Sequence, residues 1–370
     1  MTVQEVQNVL AEIPVPGTNK DLIYLKMVDK IELEGNKIKF NLTVAHAMMK
    51  PHLEKSCTAA LHKKFGTETE VAINFITEIG SNRMDKKDVL PGVKNIIAVG
   101  SGKGGVGKST VSVNLAFALA KSGAKVGIMD ADIYGPSIPI MLGIRGERPM
   151  MEDVDGKGKI IPIDVTPDGQ TSGSLKAMSI GLLIDDKQAV VWRGPMASSA
   201  LKQFVTDVNW GELDYLIIDL PPGTGDIHLT MVQTIPVMGA VIVSTPQEVA
   251  MADAKKAIMM FDGPQIKVPI LGLVENMAYF TPAELPENKY YIFGKGGGKQ
   301  LSEQFEIPYL GQIPLVQSIR EGGDEGKPAV LNEDDKITQE AFTKLAESVA
   351  QHVSIRNANL DPTQIVEITT

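Results

Sequence analysis

Cysteine is almost absent from this chain, whose 370 residues include only Cys57. A single cysteine excludes an intrachain disulfide and any metal site built from several thiolates of one chain. Positive charge is also scarce, because 36 Lys and Arg residues stand against 45 Asp and Glu residues and the net charge is −9 at pH 7. This balance argues against a general affinity for nucleic acids or anionic membranes, so we expect neither as a partner.

Long apolar runs are missing as well. No stretch reaches the length of a transmembrane helix, and no secretory signal pattern opens the sequence. We therefore expect a cytoplasmic protein. The hydrophobic content of 43% still supports a substantial core, and 370 residues are enough for one large domain and one small domain.

A glycine-rich segment between a predicted strand and a predicted helix organises the chain. Apolar residues 96–99 lead into it, and an apolar helix pattern begins at Val111. The segment fits the phosphate-binding pattern G-x-x-x-x-G-K-[ST]. Glycines let backbone N–H groups approach a phosphate, while the helix N-terminus and Lys108 add positive charge and Ser109 offers a hydroxyl to Mg²⁺. We predict nucleotide contacts from Gly102, Gly104, Gly105, Val106, Gly107, Lys108, Ser109 and Thr110.

Three carboxylates lie at the ends of predicted strands, where parallel α/β sheets bind ligands. Asp130 and Asp132 follow one strand, and Asp219 ends the most apolar strand of the chain, which we place one strand removed from the loop. We predict that Asp130 and Asp219 hold Mg²⁺ together with Ser109 and that Asp132 positions the attacking water. Helix capping is the alternative role for the first pair. Gly223 can offer a backbone N–H to a γ-phosphate and so sense its presence.

Strand and helix patterns alternate from Asn95 onward, which is typical of a mainly parallel sheet. We predict an α/β fold with a doubly wound sheet in residues 95–355, within which residues 151–177 form a β-excursion and residues 334–353 a helix. Ahead of this domain we expect a small α+β domain and a polar linker, and after it a frayed tail. Their predicted ranges are 1–80, 81–94 and 356–370.

The string G-K-G-G-V-G-K-S-T at residues 102–110 contains a second lysine, Lys103. It resembles the deviant phosphate loop of the ParA/MinD/nitrogenase-iron-protein group. In that group the extra lysine reaches across a dimer to the nucleotide of the other subunit. The resemblance therefore implies a homodimer in which Lys103 takes part in catalysis, and a solvated surface lysine is the alternative.

Further strings resemble the Mrp/ApbC family of phosphate-loop ATPases over about residues 95–350. The most specific are W-R-G-P-M at residues 192–196 and D-L-P-P-G-T-G-D at residues 219–226. Residues 1–80 resemble the small metal–sulfur cluster assembly domain that precedes some of these ATPases. Family members are described as iron–sulfur cluster carriers. The resemblance implies ATP and Mg²⁺ as ligands, Asn276 on the adenine edge, and cluster-assembly or apo-protein partners.

The sequence departs from these families where cluster ligands are expected. Mrp/ApbC proteins hold a [4Fe–4S] cluster between two subunits with a C-P-x-C pair from each, whereas residues 281–286 here read T-P-A-E-L-P. Thr281 and Glu284 are poor substitutes for thiolates. Cys57 is the one thiolate left for an iron–sulfur cluster, and its alternative role is that of a small buried hydrophobe.

Three functions stay open at this point. The first is an ATP-hydrolysing, dimeric carrier in iron–sulfur cluster assembly. The second is a nucleotide-switched scaffold that binds partners and holds no cluster, which the missing cysteine pair favours. The third is a MinD/ParA-type positioning ATPase, against which the acidic balance and the polar residues 357–370 argue.

Overall fold

The chain of the computed structural model divides into two compact units. The small unit consists of Met1–Gly80 and Ala350–Leu360, and the large unit of Ser81–Val349 and Asp361–Thr370. Two residues of the W-R-G-P-M string, 192 and 193, and two of the T-P-A-E-L-P segment, 283 and 286, lie outside the described residues. The described residues are 1–16, 18, 20–83, 89–154, 156–183, 194–264, 266–282, 284–285 and 287–366.

A three-stranded sheet covered by helices forms the small unit. Its elements are α1 (Val3–Leu10), β1 (Val28–Glu34), β2 (Lys37–Val44), α2 (Lys50–Phe65) and β3 (Glu70–Thr77). Strand β2 lies in the centre, antiparallel to β1 and parallel to β3. Every second residue of β2 is buried, and the core also takes Leu53, Cys57 and Leu61, which share one face of α2 at a spacing of four residues.

The large unit is built on an eight-stranded sheet with the order β13-β12-β11-β4-β10-β5-β9-β8. All neighbours are parallel except β8, which runs antiparallel to β9, so the α/β prediction is confirmed. The elements are β4 (Val93–Gly100), α3 (Lys108–Lys121), β5 (Lys125–Asp130), α4 (Ile138–Met141), β6 (Met151–Val154), β7 (Lys157–Ile160), β8 (Ile163–Asp164), β9 (Ser174–Ser179), α5 (Gly194–Asp207), β10 (Leu213–Asp219), α6 (Asp226–Thr234), β11 (Gly239–Ser244), α7 (Glu248–Asp262), β12 (Ile270–Glu275), α8 (Gly297–Gln304), β13 (Tyr309–Gln312) and α9 (Gln317–Glu325). The last helix, α10 (Lys336–Asn359), belongs to the large unit as far as Val349 and to the small unit from Ala350.

Strand β10 lies directly between the loop strand β4 and β5. The expectation that Asp219 is one strand removed from the loop is therefore wrong. The connection from β4 through α3 to β5 skips one position, and β10 fills that position. As a result Asp219 pairs in register with Val99 on one side and with Asp130 on the other.

Two boundaries differ from the sequence prediction. Only β6 and β7 form a separate hairpin in the expected β-excursion, because β9 joins the main sheet beside β5. Helix α10 continues to Asn359, where Val353 and Arg356 are still buried. Part of the expected frayed tail is structured, since residues 356–359 belong to α10 and the N–H of Val366 donates to the carbonyl of Val232 at 3.1 Å.

Among the described residues, no helix combines the length and apolar character that crossing a membrane requires.

Candidate nucleotide site

A cavity of about 530 Å³ opens at the carboxyl ends of the central strands of the large unit. One wall is the glycine-rich loop between β4 and α3, and the other includes α9. Gly105 and Gly107 both have φ of +82°, a left-handed conformation that glycine adopts without a Cβ penalty. The predicted residues that line the cavity are Lys103, Gly104, Gly105, Gly107, Lys108, Ser109, Thr110, Asp132 and Asn276.

The remaining predicted residues of the glycine-rich loop serve its packing. A Cβ on Gly102 would lie 2.1 Å from the backbone of Asp253, so only glycine allows this close approach. Val106 is buried, and its carbonyl accepts a hydrogen bond at 2.8 Å from Nδ2 of Asn276. Asn276, which we predicted on the adenine edge, therefore touches the cavity and the loop backbone together.

Asp219 is the centre of a buried polar cluster beneath the loop. Its Oδ2 lies 2.7 Å from Nζ of Lys108 and accepts a hydrogen bond from Oγ of Ser109 at 2.6 Å. Its Oδ1 accepts a hydrogen bond from Oγ of Ser112 at 2.6 Å. Lys108 is 6% exposed and Asp219 is fully buried, so each charge depends on the other for compensation.

Sequence reasoning missed Ser112. This serine lies one helical turn after Lys108, where its hydroxyl can reach both the Lys108 carbonyl and the Asp219 carboxylate. A spacing of four residues from the loop lysine, on the face of α3 that turns toward β10, was the available signal. By engaging one carboxylate oxygen, Ser112 orients the other toward Lys108 and Ser109.

Asp132 and Asp130 have different surroundings although they are two residues apart. Asp132 lines the cavity, and its Oδ2 lies 3.8 Å from Nζ of Lys108. Burial raises the pKa of Asp132, and the charge of Lys108 opposes that shift. The geometry therefore leaves the Asp132 carboxylate available to a molecule in the cavity.

Asp130 is fully buried and does not line the cavity. Its carboxylate accepts hydrogen bonds from the N–H groups of Asp132 and Ile138 and from Oγ of Ser179. Burial, reinforced by the charge of Asp219, raises the pKa of Asp130 to about 7. This arrangement ties down the segment after β5 and disfavours the predicted role of Asp130 as a Mg²⁺ ligand.

The loop that follows Asp219 contacts the glycine-rich loop through its backbone. The N–H of Gly223 donates to the carbonyl of Ser101 at 2.8 Å, and Gly223 has φ of +93°. Lys103 is exposed at the mouth of the cavity. The oxygen donors of Ser109 and Asp219 are of the hard type that Mg²⁺ prefers, so this side of the cavity fits a magnesium–nucleotide complex.

The residues expected to hold a cluster offer no comparable donor set. Cys57 is fully buried in the core of the small unit, and burial raises the pKa of its thiol to about 12. In the part of residues 281–286 that the structure describes, Glu284 and Leu285 are exposed and Thr281 and Pro282 are half-buried. Across the described residues, no group of three or more His, Cys, Asp or Glu side chains is placed to hold a metal ion.

Comparison with known proteins agrees with this geometry. A family model described as NUBPL iron-transfer P-loop NTPase matches residues 92–350, and one described as iron–sulfur cluster assembly protein matches residues 3–73. The chain is 42% identical to the iron–sulfur cluster carrier protein of Synechocystis over 96% of its length and 99% of that protein. It is also 42% identical to the protein of that name from Escherichia coli K12, over 93% of this chain and 90% of the relative.

One solved structure is similar in both sequence and fold. It is a nucleotide-binding protein from Archaeoglobus fulgidus in complex with ADP, with 40% identity and a TM-score of 0.58. The similarity covers 70% of this chain and 96% of that protein.

Proposed function

Because the chain belongs to the family of NUBPL iron-transfer P-loop NTPases, we propose that it is a Mg²⁺-dependent ATPase that serves iron–sulfur cluster assembly in the cytoplasm. We assign the ATPase to residues 95–355 and a cluster-assembly role to residues 1–80. The observation that carries the proposal is the buried cluster of Lys108, Ser109 and Asp219 under a glycine-rich loop at the wall of a nucleotide-sized cavity.

The buried ion pair is suited to exchange with a nucleotide. With a nucleotide in the cavity, Lys108 would pair with the β- and γ-phosphates, and Asp219 and Ser109 would be the residues that hold Mg²⁺, so that neither charge would stay unpaired. Mg²⁺ supplies neutralisation of the charge that develops on the phosphate oxygens. Asp132, which faces the same cavity, accepts a hydrogen bond from the attacking water and orients it.

Three further roles belong to the proposal. Lys103 extends from the mouth of the cavity to the nucleotide of a second copy of the chain, which makes the active form a homodimer. Asn276 orients the base while its amide holds Val106 in the loop. Gly223 exchanges the carbonyl of Ser101 for the γ-phosphate when ATP is bound.

Two versions of the function differ in whether the chain itself holds an iron–sulfur cluster. In the first, the chain carries a cluster whose remaining ligands come from a partner protein or small thiols. In the second, the chain is a nucleotide-switched scaffold that brings assembly and apo-protein partners together without holding a cluster. The burial of Cys57, the only cysteine, favours the second version.

Substitution of Lys108 tests the ATPase assignment. Lys108→Ala removes the charge that meets the phosphates, so ATP binding should be lost in calorimetric titration. For the parent, ATP at about 1,000 times its Kd should stabilise the fold by roughly 4 kcal/mol, and this thermal shift should vanish in the variant. Lys121→Ala, at the other end of α3, is the control. ATP binding by Lys108→Ala with parental affinity would contradict the assignment.

Anaerobic reconstitution with iron and sulfide tests the cargo. The isolated parent protein should bind no stable [4Fe–4S] cluster, because a symmetric dimer offers only two thiols and both are buried. Iron and sulfide that remain bound after gel filtration, and that are lost in Cys57→Ser, would favour the carrier version. A full cluster retained by Cys57→Ser would show that ligands other than thiolates of this chain hold it.

A further inference from the structure

A buried histidine stands behind the loop at residues 221–225, which connects β10 to α6. His228 lies in the first turn of α6 and is 2% exposed. Its Nδ1 lies 3.3 Å from the carbonyl oxygen of Gly225, and its Nε2 is buried without a hydrogen-bond partner. None of the roles assigned above uses this side chain.

The protonation of the ring follows from its surroundings. Burial lowers the pKa of His228, and the carbonyls of Gly225 and Pro221 oppose that shift. The imidazole is therefore neutral and carries one proton. A carbonyl oxygen can only accept, so the tautomer with its proton on Nδ1 is the one that donates to Gly225, whose carbonyl also accepts the backbone N–H of His228 at 3.1 Å.

The ring itself has little freedom to move. Phe261 of α7 is fully buried, and its ring contacts the imidazole edge-on, with centroids 6.1 Å apart and planes at 71°. The loop in front of the ring is different, because a Cβ at Gly223 would meet nothing within 4 Å. The ring thus contacts the end of the loop, at Gly225, while the space around Gly223 in the centre of the loop is empty.

We propose that His228 is a positioning residue for the loop at residues 221–225, in which Gly223 senses the γ-phosphate. It holds the carbonyl of Gly225 so that the N–H of Gly223 exchanges between two acceptors only, the carbonyl of Ser101 and the γ-phosphate of bound ATP. The inference rests on the proposed function, since it needs a nucleotide in the cavity. It goes beyond that function in one respect. The preference for ATP over ADP would depend on His228, a side chain that contacts neither nucleotide.

Three substitutions separate this role from simple packing. His228→Phe keeps a ring against Phe261 and removes the donor. His228→Asn keeps an N–H donor near the position of Nδ1, and His228→Gln places its amide closer to the position of Nε2. For each protein, the measurements are the Kd for ADP, the Kd for a non-hydrolysable ATP analogue, kcat for ATP hydrolysis, and the melting temperature without nucleotide.

We expect His228→Phe to lose about fivefold of the preference for the ATP analogue over ADP, with kcat reduced and ADP affinity unchanged, as removal of one hydrogen bond implies. His228→Asn should restore the preference and kcat, and His228→Gln should not. An unchanged preference in His228→Phe, or an equal loss of affinity for both nucleotides, would overturn the inference.

Two controls keep the outcomes distinct. If His228→Phe does not fold, the comparison of His228→Asn with His228→Gln decides, and equal nucleotide preferences in these two variants would overturn the inference. A parent protein that binds neither nucleotide would overturn the proposed function itself. A parent that binds and hydrolyses ATP, combined with variants that fail the pattern above, would overturn only the role of His228.

Discussion

At the scale of single residues, substitutions of Asp132, which lines the cavity, and of Asp219, which is buried beneath the loop, should separate nucleotide binding from hydrolysis. Asp132→Asn keeps the Lys108–Asp219 pair, so ATP should bind with parental affinity while hydrolysis falls by about 100-fold, the usual contribution of a positioned base. Asp219→Asn should instead weaken the effect of Mg²⁺ on ATP affinity. Phosphate release and titrations with and without Mg²⁺ measure both effects. The exposed Asp168→Asn is the control, and parental hydrolysis by Asp132→Asn would exclude Asp132 as the base.

The thiol of Cys57 should be unreactive in the folded protein. Its pKa of about 12 makes the reactive thiolate roughly a thousandfold rarer at pH 8 than for a free thiol, and burial also blocks access. Ellman's reagent should therefore give one thiol per chain in guanidinium chloride and a much slower reaction in native buffer. Cys57→Ala supplies the blank. Rapid modification of the native protein would show that the small unit opens readily.

The placement of residues at the cavity was predictable from the sequence where a motif contains them. Lys108, Ser109 and Asp132 belong to segments whose spacing implies a phosphate site, and the structure places them on one cavity. The distinction between Asp130 and Asp132 was not predictable, because it depends on Ser179 of β9, which is far away in sequence and adjacent in the sheet. Ser112 was missed for the same reason, since its partner Asp219 comes from β10. His228 was missed because its burial against Phe261 of α7 cannot be read from the sequence.

At the scale of elements, the glycine-rich loop offers a matched set of substitutions. A Cβ on Gly104 meets only Pro222 at 3.8 Å, whereas Gly105 has open space but φ of +82°. Gly107 has the same φ, and a Cβ there lies 2.1 Å from Nδ2 of Asn276. In nucleotide-free protein, Gly104→Ala should be nearly neutral and Gly105→Ala should cost about 1–2 kcal/mol.

Gly107→Ala should cost more than Gly105→Ala, because it also displaces Asn276 from the carbonyl of Val106. Melting temperatures rank the three variants, with about 2–4 °C expected for each kcal/mol in a unit of this size. Equal melting temperatures for Gly105→Ala and Gly107→Ala would contradict the close packing of Asn276 on the loop.

Strands and helices were predicted most accurately where apolar periodicity was long, as in α3 and β10. The position of β10 next to β4 was missed because a sequence gives the order of strands along the chain and not across the sheet. The membership of β9 in the main sheet was missed because its sequence, S-L-K-A-M-S, has few strong strand formers and follows polar turns. The length of α10 was underestimated because the residues after Val353, S-I-R-N-A-N, are mostly polar and continue the apolar pattern only at Ile355.

At the scale of the whole molecule, the proposed homodimer depends on charge. Two triphosphates that face each other repel, and Lys103 from each subunit offsets that repulsion. Lys103→Gln should therefore bind ATP but lose ATP-dependent dimerisation. Light scattering during a nucleotide titration measures the dimer. Both proteins carry Asp132→Asn in this experiment, so that ATP is not hydrolysed. The exposed Lys125→Gln is the control. An unchanged dimer in the Lys103 variant would make this lysine an ordinary surface charge.

The division of the chain also affects how it is made. The small unit begins with Met1–Gly80 but includes Ala350–Leu360, which a ribosome delivers only after nearly all of the large unit. Domains tend to fold as they emerge, from the N-terminus onward. The first unit to be started is thus completed only when residues 350–360 have been synthesised, after nearly all of the large unit. A chain truncated before Ala350 would lack this last part of the small unit although residues 1–80 are present.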